Sequence, residues 1–533
     1  AASRASDDDA KRLRALGRKI SKGALDVRRE AALSDALDAL MRRYPSRVHD
    51  TNFAQVLTVV VDPPRARFSA WYELFPRSVR GDGTHGTLAD VEAALPQIAE
   101  LGFNVLYLPP IHPIGATKCK GPNNTLVAGP QDPGSPWAIG ARDGGHKSVH
   151  AELGTVADLA RLVEAARALG IEIALDIAFQ CSPDHPYVKE HPQWFRRRPD
   201  GSVQYAENPP KKYEDIYPFD FETDDWLALW SELESVFRFW MEQGVYVFRV
   251  DNPHTKPFAM WEGIITRLKA EHPQLIFLSE AFTRPKVMHR LAKLGFTQSY
   301  TYFAWRNSKA ELIEYFTELA HDPSREYFRP NVWPNTPDIL TEALQHGGRA
   351  TFISRLVLAA TLSANYGVYG PAYELMEHLP RSPGSEEYLH SEKYEIRRWL
   401  LDAPGNLRPL MSQLNRIRRE NSALQSDWSL RFVDTDNDLL IAYSKISADG
   451  DNALLIVVNL DQRWTQSGWV TVDLAEYALE PDARFIVHDL LDGARYEWQG
   501  ARNYVALDPA KMPAHIFRIE HISPLPDPDA GLD

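Results

Sequence analysis

From Phe68 onward the chain repeats one unit eight times: a short apolar run, a loop, and a stretch with helical spacing. The apolar runs are Phe68–Leu74, Asn104–Leu108, Glu172–Ile177, Tyr246–Val250, Leu275–Leu278, Ser299–Ala304, Tyr327–Val332 and Asn365–Tyr369. Between them lie stretches such as Leu88–Leu101, Val156–Leu169, Trp226–Glu242 and Pro257–Glu271. Short runs that are apolar throughout read as parallel strands buried on both faces, and parallel neighbours need a helix-length crossover. Eight such units predict an α/β fold of the (β/α)8 TIM-barrel class, in which function sits on the loops that follow the strands. A doubly wound open sheet is the alternative, but no Gly-rich turn follows the first strand to favour it.

The pattern divides the chain into residues 1–61, 62–409 and 410–533. In the first part Leu13, Leu16 and Ile20, then Leu33, Leu37 and Leu40, recur at helical spacing and predict two amphipathic helices, with Pro45 beyond the second. Val56–Val61 reads as one strand, far too short to span a membrane. Two connections of the barrel, 112–150 and 180–223, are too long for simple turns and are expected to serve the site. The last part opens with a linking helix, Leu410–Glu420. Strands Leu439–Tyr443, Ala453–Val458, Trp469–Leu474, Phe485–His488 and His515–Ile519 follow, separated by turn residues, and predict a C-terminal antiparallel β-sandwich. The tail after Ile522 is expected to be loose.

A net charge of −13 argues against nucleic acid or an anionic membrane as partner. The first residues carry no apolar segment of the secretory kind. Two cysteines, Cys119 and Cys181, make no disulfide scaffold, and a reducing cytoplasm is the expected compartment. No His or carboxylate cluster has metal-ligand spacing, and no cofactor is expected.

Two acidic residues stand at the ends of apolar runs: Asp251 after "VYVFRV" and Glu280 after "LIFLS". A carboxylate beside a hydrophobic core is costly unless it is paired or used. Strands joined by one helix bring both to the same rim, and a pair of rim carboxylates is the minimal equipment for cleaving a glycosidic bond with retention. Arg249 shares a strand face with Asp251 and is placed to keep it ionised.

"ALDIAFQ", "VYVFRVDN", "FLSEAF" and "PNTPDIL" resemble, in order, the four sequence regions of the alpha-amylase superfamily, glycoside hydrolase family 13. The resemblance implies Asp251 as nucleophile, Glu280 as general acid and base, Asp338 as third carboxylate, and Arg249 as partner of the nucleophile. The first region keeps its Asp176 but has Gln180 in place of the usual Asn-His, and the fourth lacks its usual His. Gly145-His146 stands where amylases put a sugar-stacking Tyr. An ordinary amylase is therefore not expected.

These departures fit one branch. "LPPIHPIG", "DPGSPWAIG", "GGHKSVH", "ENPPKKYEDIYP", "FRVDNPHTKP" and "SEKYE" closely resemble the alpha-1,4-glucan:maltose-1-phosphate maltosyltransferases. The resemblance implies α-maltose 1-phosphate as donor, an α-1,4-glucan as acceptor and phosphate as leaving group. It carries phosphate contacts onto Asn208, Tyr213 and Asn252, and maltosyl contacts onto Lys120, Gln180 and Lys393. His146, Asp176 and Tyr394 complete the implied substrate-binding set. A homodimer is also implied, through an N-terminal β domain of which residues 1–61 supply two helices and a strand. The alternatives are another retaining enzyme of the superfamily, such as an α-glucosidase or disaccharide phosphorylase, and a catalytically silent glucan-binding scaffold. Silent relatives typically lose a carboxylate, whereas Asp251, Glu280 and Asp338 are all present here.

Overall fold

The computed structural model describes residues 1–521 except His49, Asn52, Leu57, Thr58, Pro209 and Pro210, with the backbone alone at Asn208, Lys211 and His521. It divides into two compact units, Ala1–Val60 and Val61–Asp533. Among its described residues the first holds three helices where periodicity predicts two: α1 (Asp7–Lys22), α2 (Leu25–Ala32) and α3 (Asp35–Arg43). The break falls at Leu33, where Ser34 begins a new helix by accepting a hydrogen bond from the Leu37 N–H at 3.4 Å. Leu57 and Thr58 of the expected Val56–Val61 strand lie outside the described residues, and its other four residues are in no strand. The expected loose tail also lies outside them.

The second unit opens with eight parallel strands: β1 (Ser69–Glu73), β2 (Val105–Leu108), β3 (Glu172–Ile177), β4 (Val247–Asp251), β5 (Ile276–Glu280), β6 (Gln298–Tyr300), β7 (Pro330–Asn331) and β8 (Asn365–Tyr369). They pair in chain order from β1 to β7, β8 pairs with β1, and a parallel bridge between Val332 and Tyr366 closes the barrel. β6 and β7 are shorter than expected. After Tyr300 the chain leaves the ladder for a 3-10 turn, Phe303–Trp305, and the Tyr302 N–H is taken by the Tyr315 hydroxyl at 2.9 Å. A 3-10 turn at Pro323–Glu326 occupies the approach to β7.

Side-chain alternation then fixes what faces the axis. Trp71, Val105, Tyr107, Ala174, Val247, Ile276, Leu278, Tyr300 and Trp333 fill the barrel, while Leu106, Leu175, Phe248, Val250 and Phe277 pack outward under the helices. Arg249 and Asp251 share the inward parity of Val247, Asp176 that of Ala174, and Glu280 that of Ile276 and Leu278. The C-terminal end of the barrel is therefore ringed with charge because the layer below it is apolar.

The insertion at 112–150 is irregular apart from a 3-10 turn at Pro122–Asn124. The one at 180–223 holds two small ladders, Gln180–Cys181 with Tyr217–Pro218 and Ala206–Asn208 with Lys211–Tyr213. The sandwich has eight strands rather than the five expected: β9 (Arg431–Thr435), β10 (Leu440–Ile446), β11 (Ala453–Asn459), β12 (Gln466–Thr471), β13 (Arg484–Asp489), β14 (Arg495–Gln499), β15 (Arg502–Leu507) and β16 (Ala514–His521). β9, β14 and β15 lack a continuous apolar run, because each opens on an arginine, carries further polar residues and buries at most one face. β9 joins the two layers, pairing with β10 through Val433 and with β12 from Asp434. Among the described residues no helix is long and apolar enough to cross a membrane.

Helix α4 (Arg408–Glu420) ties the barrel's closure to the sandwich. Its Arg418 is buried and donates to the carbonyls of Ala360, Ser363, Ala364 and, on β1, Ser69. Arg418→Met would leave several of those buried carbonyls unsatisfied, at about 1–3 kcal/mol each. We expect a loss of at least ~3 kcal/mol, read in urea unfolding, with chemistry at the distant rim impaired only through stability.

Candidate active site

Arg249 is the centre of the rim. Its Nη1 donates to Asp251 Oδ1 at 2.7 Å and to Asp176 Oδ2 at 3.0 Å, and its Nη2 lies 3.4 Å from Glu280 Oε1. Tyr107, also inward-facing, donates to Asp176 Oδ2 at 2.5 Å. Asp251 and Glu280 are register partners on adjacent strands. Asn252 follows in the left-handed region, φ 42° and ψ 52°, a conformation that asparagine tolerates better than most side chains. That turn lets its N–H donate to Glu280 Oε2 and its side-chain amide to Asp251 Oδ2, both at 3.2 Å. Pro253 then starts a 3-10 turn that brings Lys256 back to the strand end, where Nζ donates to the Asp251 and Asn252 carbonyls.

The two partner carboxyls are driven apart. Burial works to raise Asp251, but the charges of Arg249 and Lys256 and the hydrogen bonds from Arg249 and Asn252 outweigh it and hold the group below its ordinary range. Burial, reinforced by repulsion from Asp251 and Asp338, pushes Glu280 up to about 7 against the pull of Arg249. One carboxyl is kept as an anion and its neighbour as an acid, the division that two-carboxylate glycosyl chemistry requires. Burial also carries Asp176 to about 7.

The other residues implied by the resemblance fall into two groups. Lys393 donates to Asp338 Oδ1 at 2.5 Å and lies 5.0 Å from the centre of the Trp137 ring. Tyr394 is buried beside it, and against the effect of burial the Asp338 charge, with lesser contributions from Tyr394 and Tyr213, holds the Lys393 ammonium above its ordinary range. Gln180 donates to the Trp137 carbonyl at 3.1 Å. Lys120 is buried and paired with Glu214 at 2.6 Å. The side chain of Asn208 lies outside the described residues.

Asp176 and His146 sit behind the rim. Asp176 is only 1% exposed, and it reaches the site through Arg249. His146 is 2% exposed, so it does not supply the open stacking face of the tyrosine it replaces. Its Nε2–H donates to the Ala178 carbonyl at 3.0 Å, and its Nδ1 accepts from His185 Nε2 at 3.1 Å. His185 Nδ1 in turn accepts the Tyr187 N–H at 3.1 Å. Burial holds both rings neutral, His146 down to about 4 and His185 to about 2. With Cys181 they form a set whose ligand atoms lie within 4.8 Å of one another, although nothing in the sequence spacing announces it. All four ring nitrogens already have protein partners.

Several residues of the site escape sequence reasoning. Glu214 and Asp215 follow Tyr213 in the second insertion. Asp215 is 2% exposed and has one oxygen without a hydrogen-bond partner, and its neighbours include Lys120 and Lys393. Burial raises it to about 6. Tyr107 was legible from its inward parity with Val105, and Lys256 from the proline that turns the chain back.

Residues 432–519 match the family model described as GLGE, C-terminal. The chain is 57% identical over 525 residues to the alpha-1,4-glucan:maltose-1-phosphate maltosyltransferase of Chlorobaculum tepidum, covering 97% of this chain and 78% of that protein. It is 55% identical to the protein of the same name from Salinibacter ruber, over 92% of this chain and 74% of the relative. The chain belongs to the alpha-1,4-glucan:maltose-1-phosphate maltosyltransferase family. A solved structure described as a noncanonic maltogenic alpha-amylase, AmyB from Thermotoga neapolitana, superposes with a TM-score of 0.66 at 18% identity, over 86% of this chain and 100% of that one. That likeness shows the shared amylase fold of this family member, barrel and sandwich together.

The raised Glu280 pKa has a consequence for stability. An unfolded glutamate titrates near ~4.3 and the folded one at about 7. Glu280 therefore favours folding below the unfolded pKa and loses that contribution as pH rises through 7, by up to about 4 kcal/mol. Glu280→Gln should gain stability relative to the parent as pH goes from 5 to 8, read as a widening difference in Tm. A difference that stays constant would return Glu280 to the ordinary carboxylate range.

Proposed function

We propose that the protein moves an α-maltosyl unit from α-maltose 1-phosphate to the non-reducing end of an α-1,4-glucan, with retention and release of phosphate. The observation that carries this reading is the pair Asp251 and Glu280, adjacent on the rim with opposed proton affinities, in a chain of this family. Asp251 attacks C1 of the donor from the face opposite the phosphate, and the C1–O bond breaks as Glu280 gives its proton to the leaving oxygen. A β-maltosyl ester on Asp251 results. In the second half Glu280, now a carboxylate, takes the proton of the acceptor 4-hydroxyl, whose oxygen attacks C1 and releases Asp251. Two inversions leave the product α.

Arg249 keeps Asp251 ionised through the first step, and Asp176 and Tyr107 orient Arg249. Asp338 holds hydroxyls of the distorted sugar, sharing its charge with Lys393. Asn252, Tyr213 and Asn208 grip the leaving phosphate with neutral donors, a hold that releases more readily than a cluster of buried lysines. Lys120, Gln180, Lys393 and Tyr394 read the second glucose of the maltosyl unit, and His146 shapes the wall from behind. Cytoplasmic action and a homodimer belong to the same proposal.

The test is to incubate the protein with maltose 1-phosphate and maltohexaose and follow released phosphate, free maltose and product length. Elongated glucan should dominate over free maltose, the reverse reaction with phosphate should form maltose 1-phosphate, and Asp251→Ala should abolish both. Free maltose as the main product, with no reverse reaction, would make this a hydrolase.

Asn252 offers a finer test, because its amide also bonds Asp251. Asn252→Ala should weaken use of maltose 1-phosphate by ~10- to 100-fold through a charge-assisted hydrogen bond of ~1.5–3 kcal/mol. Use of maltosyl fluoride should fall much less. Equal losses with both donors would assign Asn252 to positioning the nucleophile.

A further inference from the structure

The smaller layer of the sandwich turns two large aromatic rings to water. Trp469 on β12 and Tyr504 on β15 are register partners, 39% and 55% exposed, while their strand neighbours Val470 and Val505 are buried in the sandwich core. Their rings lie 5.4 Å apart at 68°. The pair is held from three sides. The Arg502 guanidinium lies 4.8 Å from the Trp469 ring centre, and it pairs with Asp436 at 3.2 Å. Asp436 also accepts the Trp469 N–H at 2.7 Å, and the Tyr504 hydroxyl donates to Ser467 Oγ at 2.7 Å. Trp464, 71% exposed, stands on the connection that leads into β12.

We propose that this face is a second binding site for the α-1,4-glucan chain, separate from the carboxylate centre. Rings fixed in place lose little freedom on contact, and exposed aromatic patches of this kind mark interaction sites. The apolar C–H faces of glucose units suit the rings. Their hydroxyls suit the rim of Arg502, Asp436, Ser467 and the Tyr504 hydroxyl, which offers both donors and acceptors. The guanidinium is matched by Asp436, so the patch presents no unbalanced positive charge, and a protein of net charge −13 repels polyanions. A neutral polyhydroxyl polymer fits, and a nucleic acid or acidic peptide does not.

Identifying the polymer with the acceptor rests on the transferase reading. A long glucan tethered at the sandwich would raise the effective concentration of its end at the rim, whereas a short acceptor would gain nothing.

The experiment is retention of the full chain on insoluble amylose, compared between the parent and the double variant Trp469→Ala/Tyr504→Ala, with Trp469→Ala alone as a milder second variant. We expect retention to fall at least ~10-fold in the double variant. The KM for long amylose should rise, and the initial rate with maltohexaose should stay unchanged and report an intact fold. Unaltered retention, or a parent that amylose does not retain, overturns the site. Loss of self-association without loss of retention makes the face a protein interface and also overturns it. The retention assay needs no turnover, so a chain that failed to transfer maltosyl units would defeat the transferase reading while leaving this measurement interpretable.

Discussion

One guanidinium organises the rim. Arg249 reaches Asp176, Asp251 and Glu280 from a position 7% exposed, and four hydrogen-bonding or ionic partners, Tyr107 included through Asp176, depend on where it points. Three carboxyls around one buried cation cannot all ionise cheaply, because burial penalises each charge and the anions repel one another. The shortage falls on Asp176 and Glu280, both of which burial carries to about 7. Asp251, at 2.7 Å and further supported by Lys256 and Asn252, becomes the anion; Glu280, at 3.4 Å, keeps its proton near neutral pH. The chemistry proposed for the pair is thus a consequence of unequal shares in the positive charge of Arg249 and Lys256.

Much of this was legible before any coordinates. β3 and β8 run over the residues their apolar stretches predict, because both are buried on both faces and bounded by turns. Inward parity follows from counting by two, which places Arg249, Asp251 and Glu280 together without reference to any relative. What was not legible depends on partners far apart in sequence. Lys120 and Glu214 lie 94 residues apart, in different insertions, and only the folded insertions reveal that the lysine is neutralised. The N-terminal helix that periodicity does not predict is α2, which buries only Ala31 and so carries no apolar stripe. The His146–His185 relay was invisible because its geometry is set by the packing of two loops and not by spacing along the chain.

The cations around the rim are arranged in a way that bears on the phosphorylated donor proposed above. Lys120 is matched by Glu214, Lys393 by Asp338, and Lys256 donates to two backbone carbonyls beside Asp251. Lys120 and Lys393 are therefore not free counter-charges waiting for a dianion, and the charge of Lys256 acts on Asp251. A pocket so balanced gains less from binding phosphate than one with bare lysines, and it also loses less when phosphate leaves. In the proposed reaction, such a balance would leave discrimination to neutral hydrogen-bond donors with fixed geometry.

In the proposed reaction the Lys393–Asp338 pair would serve the transition state. Asp338 is the most exposed of the three carboxylates of the resemblance, 44% at the side chain, so water can still reach it when the site is empty. A sugar whose hydroxyls displaced that water would find Asp338 already oriented by an ion pair of 2.5 Å. Exclusion of the water lowers the local dielectric and strengthens what remains. As positive charge develops at C1, a carboxylate with one oxygen committed to Lys393 keeps its other oxygen for the sugar. A fully satisfied Asp338 would bind substrate and transition state alike. A half-satisfied one, pinned by lysine but open on the sugar side, would in the proposed reaction strengthen its hold as the charge appears, which is the condition for binding energy to accelerate the step.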